Sequence, residues 1–105
     1  MKNTNQATLE DLQAFIKHTC KERGWGSRSP VELFTLMTEE VGEVSKAIRR
    51  LTGFAHEAKT SDTEELAHEL VDVLNYVLDI ANHFDIDMAK AFEEKWQLNS
   101  KRTWA

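Results

Sequence analysis

The chain has 105 residues, of which 13 are Lys or Arg and 18 are Asp or Glu, for a formal net charge of −5. That length fits a single domain over residues 1–105. The acidity argues against a grip on duplex nucleic acid, which asks for a basic face, but not against a nucleotide carried on a divalent cation, which reverses the local sign. Cys20 is the one cysteine, so no intrachain disulfide can form, which fits a cytoplasmic setting. Residues 1–6 are polar without the apolar region of a signal peptide, and apolar runs are too short to span a membrane. A chain this short buries a modest share of its surface alone, so self-association is expected.

Four glycines, one proline and no Asn-Gly or Asp-Gly pair predict helices joined by short loops. The first helix starts at Thr8, where Thr8-Leu9-Glu10-Asp11 has the form of a capping box. Leu9, Leu12, Phe15, Ile16 and Cys20 form its apolar stripe, and Gly24 ends it. A loop over 24–28 contains Trp25. The second helix has Ser29 as N-cap, Pro30 at its first position and Glu32 at its third, and closes at Gly53 after Arg49 and Arg50. Its stripe Phe34, Met37, Val41, Val44, Ile48 and Leu51 is expected to face the core. A loop over 54–61 leads to a third helix from about Asp62 to His83. A fourth starts near Asp85 or Asp87 and carries Met88, Ala91, Phe92, Trp96 and Leu98. The tail holds Lys101, Arg102 and Trp104.

The acids carry the functional information. At 100° per residue Glu40 and Glu43 lie side by side on the border of the second helix's stripe, with Glu39 further round. The third helix has a wide apolar arc from Leu66 to Phe84 and an opposite strip of Glu65, Glu69, Asp72, Asn75 and Asp79. So wide an arc is expected to bury against more than one neighbour, another subunit included. Acidic strips are commonly solvated faces, and these normally interleave Lys or Arg one turn away. Residues 60–89 hold eight acids and no Lys or Arg. Like charges one turn apart destabilise a helix, and a divalent cation would relieve them. Mg²⁺ takes hard oxygen ligands, and two Glu/Asp pairs at i,i+3 on antiparallel helices offer four. Gly42, between Glu40 and Glu43, would admit a ligand or another backbone, or serve close helix packing.

Glu39-Glu40-Val41-Gly42-Glu43, then Glu69-Leu70-Val71-Asp72, then Lys95-xxx-Asn99-xx-Arg102, resembles the signature of the MazG-like nucleoside triphosphate pyrophosphohydrolases of the all-α NTP pyrophosphatase superfamily. The resemblance spans about residues 25–102. It implies an all-α, four-helix domain that assembles as a helical-bundle homodimer or a homotetramer built as a dimer of dimers. It also implies Mg²⁺-dependent cleavage of a nucleoside triphosphate between its α- and β-phosphates, a house-cleaning activity, with Mn²⁺ as a possible substitute. Glu40, Glu43, Glu69 and Asp72 match the family's metal ligands, and Glu39 its first motif acid, assigned to a second metal or the attacking water.

Lys95, Asn99 and Arg102 share a helical face, and with Lys101 they suit phosphate oxygens or, alternatively, a helix C-terminus. Asn75, one turn beyond Asp72, suits a water, a sugar or a ligand carboxylate. Trp25 suits stacking on a base or closing the core. Glu65 and His68 form one half of a di-iron carboxylate motif, but no second Glu-x-x-His exists. A non-enzymatic helical module that offers its acidic strip to a basic partner is the other rival.

Overall fold

The computed structural model describes residues 7–54 and 63–101. Four α-helices are present and no strand among them: α1 (Leu9–Glu22), α2 (Pro30–Thr52), α3 (Glu64–His83) and α4 (Met88–Ser100), with a 3₁₀ turn at Trp25–Ser27. The all-α expectation therefore holds. The predicted loop over 54–61 and the start of α3 at Asp62 fall largely outside the described residues, as do Arg102 and Trp104. No described helix is long and apolar enough to cross a membrane.

The helix ends follow from local chemistry. The Asp11 backbone N–H donates to Thr8 Oγ1 at 3.1 Å, and the Thr8 N–H donates back to the Asp11 carboxylate at 3.0 Å. Two orphan donors of the first turn are satisfied in this way. Ser29 Oγ accepts from the Glu32 N–H at 3.1 Å, with Pro30 at the first helical position, where its missing N–H costs nothing. Gly53 ends α2 at φ 70°, a left-handed turn that a Cβ would strain. Asp87, rather than Asp85, caps α4, accepting from the Lys90 N–H at 3.1 Å.

α2 and α3 form an antiparallel hairpin and the most extensive contact of the chain. Near one end Arg50 reaches Glu65 at 3.1 Å, and further along Glu40 meets Glu69 and Asp72. α1 packs across α3, and α4 packs on α1. Gln13 joins three of these elements. Its side-chain N–H groups donate to Asn82 Oδ1 (3.0 Å) and to the Ile86 carbonyl (2.6 Å), and its Oε1 accepts from the Met88 N–H (3.0 Å). Asn82 returns a bond to the Gln13 carbonyl at 3.2 Å.

The buried side chains of the hairpin depart from the predicted stripe. Leu33 and Ala47 on α2 and Leu78 and Ala81 on α3 are buried. Phe34, Val41 and Ile48, expected in the core, are 56%, 49% and 45% exposed. α2 carries two adjoining apolar stripes, and α3 takes the one with Leu33 and Ala47. The other, spaced seven residues apart, points away. On α3 the arc divides similarly, with Leu78 and Ala81 buried and Leu70 and Leu74 exposed.

Gln13→Ala removes three side-chain bonds at once and leaves the Met88 N–H and the Ile86 carbonyl without their partner. We expect a loss of about 1–3 kcal/mol in denaturant unfolding. Gln97→Ala, on the exposed face of α4, should change stability by less than about 0.5 kcal/mol.

Candidate active site

The i,i+3 spacing on α3 places Glu69 and Asp72 on one face, where they meet Glu40 of α2. One carboxylate oxygen from each of Glu40, Glu69 and Asp72 lies within 4.8 Å of the other two. Among the described residues no other group of His, Cys, Asp and Glu is so close. Glu40 and Glu69 are half-buried, and Asp72 is exposed. The Glu40 carboxyl is held above its ordinary value, first by loss of solvent and then by the charges of Asp72 and Glu69. A hydrogen bond with Glu69 and the charge of Glu43 push the same way. Three carboxylates this close, with the Glu40 carboxyl held above its ordinary value, suit a hard divalent ion.

Glu43 stands one turn along α2, exposed. It is close enough to act on Glu40 but outside the group of three. Glu39 is exposed and likewise outside it. Gly42 adjoins open space, so among the described residues neither a helix nor a loop uses the room left by its missing Cβ.

Two of the three acids, Glu40 and Asp72, line a cavity of about 450 Å³. Glu40, Asp72, Asn75 and Tyr76 line it from the hairpin, Ile16, Thr19 and Cys20 from α1, and Trp25 and Arg28 from the connecting segment. Trp25 and Asn75, both expected as substrate contacts, therefore lie beside the acids. The Trp25 ring is flanked by two guanidinium groups, with Arg23 at 5.3 Å and Arg28 at 6.0 Å from its centroid. The residue is nonetheless 41% exposed.

Lys95, Asn99 and Lys101 do not line this cavity. They stand on or just past α4, which packs on α1. Arg102 lies outside the described residues. His68 is exposed and 4.0 Å from Glu64, rather than joined with Glu65 in a metal-binding pair. The α1 contribution and Arg28 were not foreseen. The one sequence signal for them was a basic residue just after the loop tryptophan. Asp79 also lines the cavity, at its far end and almost buried. Glu65, from the same strip, is tied to Arg50.

The sequence matches the model of the MazG nucleotide pyrophosphohydrolase domain over residues 28–103. It is 27% identical over 100 residues to the uncharacterized protein YpjD of Bacillus subtilis (strain 168), covering 92% of this chain and 90% of that protein. It is 25% identical over 96 residues to the uncharacterized protein YvdC of the same organism, covering 83% of this chain and 91% of YvdC.

The raised Glu40 carboxyl has a pH signature. Its folded value lies above the ordinary 4.5, so the folded state binds more protons between those two values. The stability cost of ionising it is present above the folded value. That cost is relieved as the pH falls through it toward 4.5. With a chelator present, Glu40→Gln should melt higher than the wild type at pH 7, and the gap should close as the pH approaches 4.5. Mg²⁺ should raise the wild-type melting temperature and leave Glu40→Gln nearly unmoved.

Proposed function

The chain belongs to the MazG nucleotide pyrophosphohydrolase family, and we propose that it hydrolyses a nucleoside triphosphate between the α- and β-phosphates in a Mg²⁺-dependent reaction. The observation that carries this is the convergence of Glu40, Glu69 and Asp72 within 4.8 Å at the mouth of a cavity wide enough for a nucleotide. Water adds to phosphorus as the P–O–P bridge breaks, giving a nucleoside monophosphate and pyrophosphate.

Glu40, Glu69 and Asp72, with Glu43 one turn away, would hold the ion. When bound, Mg²⁺ neutralises phosphate oxygens and lowers the pKa of a coordinated water. Glu39, beside them on α2, is assigned to orienting the attacking water. Arg28 supplies a guanidinium on the cavity wall for a phosphate oxygen. The Trp25 face stacks on the base, and the Asn75 amide hydrogen-bonds the sugar. The ligand set spans two helices, so hairpin geometry rather than a flexible loop fixes the spacing of the donors.

The same reading assigns a homodimer, or a homotetramer built from it. The surface area of 8160 Å² exceeds the roughly 6,000 Å² expected of a compact monomer of this mass. Phe34, Val41 and Ile48 on α2 and Leu70 and Leu74 on α3 form the exposed apolar surface that a second copy would cover. Such an assembly is also the means by which Lys95, Asn99, Lys101 and Arg102 would reach a neighbouring copy's phosphates. The acid cluster also favours an enzyme over a scaffold, because a partner-binding face needs no convergence on one point.

Purified protein with Mg²⁺ should release pyrophosphate, not orthophosphate, from a nucleoside triphosphate. Asp72→Asn and Glu43→Gln should each lower kcat at least about a hundredfold, the scale of a lost metal-site contact. Orthophosphate as the first product would overturn the bond assignment, and an active Glu43→Gln/Asp72→Asn double variant would overturn the site.

Light scattering should give two or four times the 12.1 kDa of one chain. Ile48→Asp should move the mass toward the monomer. A monomeric wild type would refute the assembly.

A further inference from the structure

The cavity has a second polar end that the proposed hydrolysis does not use. Asp79 lines it two helical turns beyond Asp72 on the same side of α3, about 10 Å along the axis at 1.5 Å per residue. The residue is 9% exposed. Its described partners are soft or distant: the Cys20 thiol donates to Oδ2 at 3.6 Å, and His83 Nε2 stands 3.8 Å from Oδ1. A carboxylate accepts about four hydrogen bonds, and an almost buried one normally has strong donors. Asp79 has one weak donor and a separation too long for a hydrogen bond. It lines this cavity together with Glu40 and Asp72, and also the neighbouring one that Lys17, Lys21 and His83 line.

Building on the pyrophosphohydrolase reading, we propose that Asp79 selects the base, accepting a hydrogen bond from an exocyclic amino group and disfavouring bases with a carbonyl there. The spacing fits. With the phosphates at Glu40 and Asp72 and the ring against Trp25, about one mononucleotide separates the acid cluster from Asp79. Cytosine N4 and adenine N6 are donors, whereas O4 of uracil and thymine is an acceptor. An acceptor set against the Asp79 carboxylate leaves two acceptors face to face in a nearly dry site, a repulsive device that specificity commonly uses. Cys20 keeps the role open. Burial first, then the Asp79 charge, raises its thiol to about 11, so at neutral pH it stays a donor and does not compete as an acceptor.

The test compares nucleotides that differ at this one group: dCTP against dUTP, and dATP against dITP. Pyrophosphate release should favour the amino member of one pair by about tenfold or more in kcat/KM, the scale of one charge-assisted buried hydrogen bond. The pair that shows it identifies the ring, pyrimidine or purine. Asp79→Asn, nearly isosteric and able to donate as well as accept, should bring that ratio to within about twofold while its melting temperature stays near that of the wild type.

Ratios near one in both pairs for the wild type, or an unchanged preference in a folded Asp79→Asn, overturn the assignment and leave the pyrophosphohydrolase reading standing. Should Asp79→Asn not fold, the wild-type ratios decide alone, and preference for the carbonyl member overturns it. Should no nucleotide be hydrolysed, calorimetric titration of wild type with each pair in Ca²⁺ separates the two claims. Tighter binding of the amino member keeps the assignment of Asp79 while the hydrolytic reading fails. Equal binding overturns the assignment too.

Discussion

The repulsion between Glu40, Glu69 and Asp72 is the constraint on which the rest of the molecule is arranged. Three carboxylate oxygens within 4.8 Å do not stay together on their own account. They are held by a hairpin that is pinned on both sides of them. On one side Arg50 bonds Glu65. On the other, Leu33 and Leu78 are almost completely removed from solvent. Burying two leucines contributes roughly 3–6 kcal/mol, more than the repulsion of partly solvated acids takes away. Hydrophobic packing thus fixes a geometry that electrostatics alone would open.

That arrangement inverts the usual amphipathic reading of α3. A surface helix buries its apolar arc and exposes its polar strip. Here the strip turns inward: Glu65 meets Arg50, Glu69 and Asp72 meet Glu40, and Asp79 is almost buried against α1. Part of the apolar arc, at Leu70 and Leu74, is left outside. Site and exposed apolar surface are two consequences of one rotation. If α3 turned to bury Leu70 and Leu74 within the chain, it would carry Glu69 and Asp72 away from Glu40. Among the described residues, the rotation that brings the acids together leaves Leu70 and Leu74 exposed.

Local chemistry was legible in the sequence, and long-range choice was not. Thr8 with Asp11, Ser29 with Pro30, and Gly53 each act within a few residues, so their bonds could be read directly. The acid pairs were legible for the same reason: three residues is less than one helical turn, and the missing Lys and Arg between 60 and 89 marked the strip as unusual. On α2, however, Phe34, Val41 and Ile48 form a stripe as regular as the one with Leu33 and Ala47. Periodicity cannot choose between two regular stripes, since the choice depends on which face α3 offers. Nor could any pattern in α1 announce that Thr19 and Cys20 would close a cavity begun by residues fifty positions on. Those contacts exist only after the helices pack.

The cavity draws its chemistry from this division of labour. The hairpin provides acids at one end, where, on the proposed reading, a hard cation would admit a polyanion. The segment before α2 provides guanidinium groups and an aromatic face, which suit phosphate and base without metal. α1 provides the apolar and weakly polar floor that raises the cost of any unpaired group beyond them. A triphosphate is charged at one end and flat at the other. It matches a cavity with this gradient in one orientation, because reversing it sets phosphates against Asp79 and a neutral ring against the acid cluster. On the proposed reading, charge and shape would therefore set the orientation. On the proposed reading the two ends would be separable: the acids would serve the bond that breaks, and the Asp79 carboxylate the base.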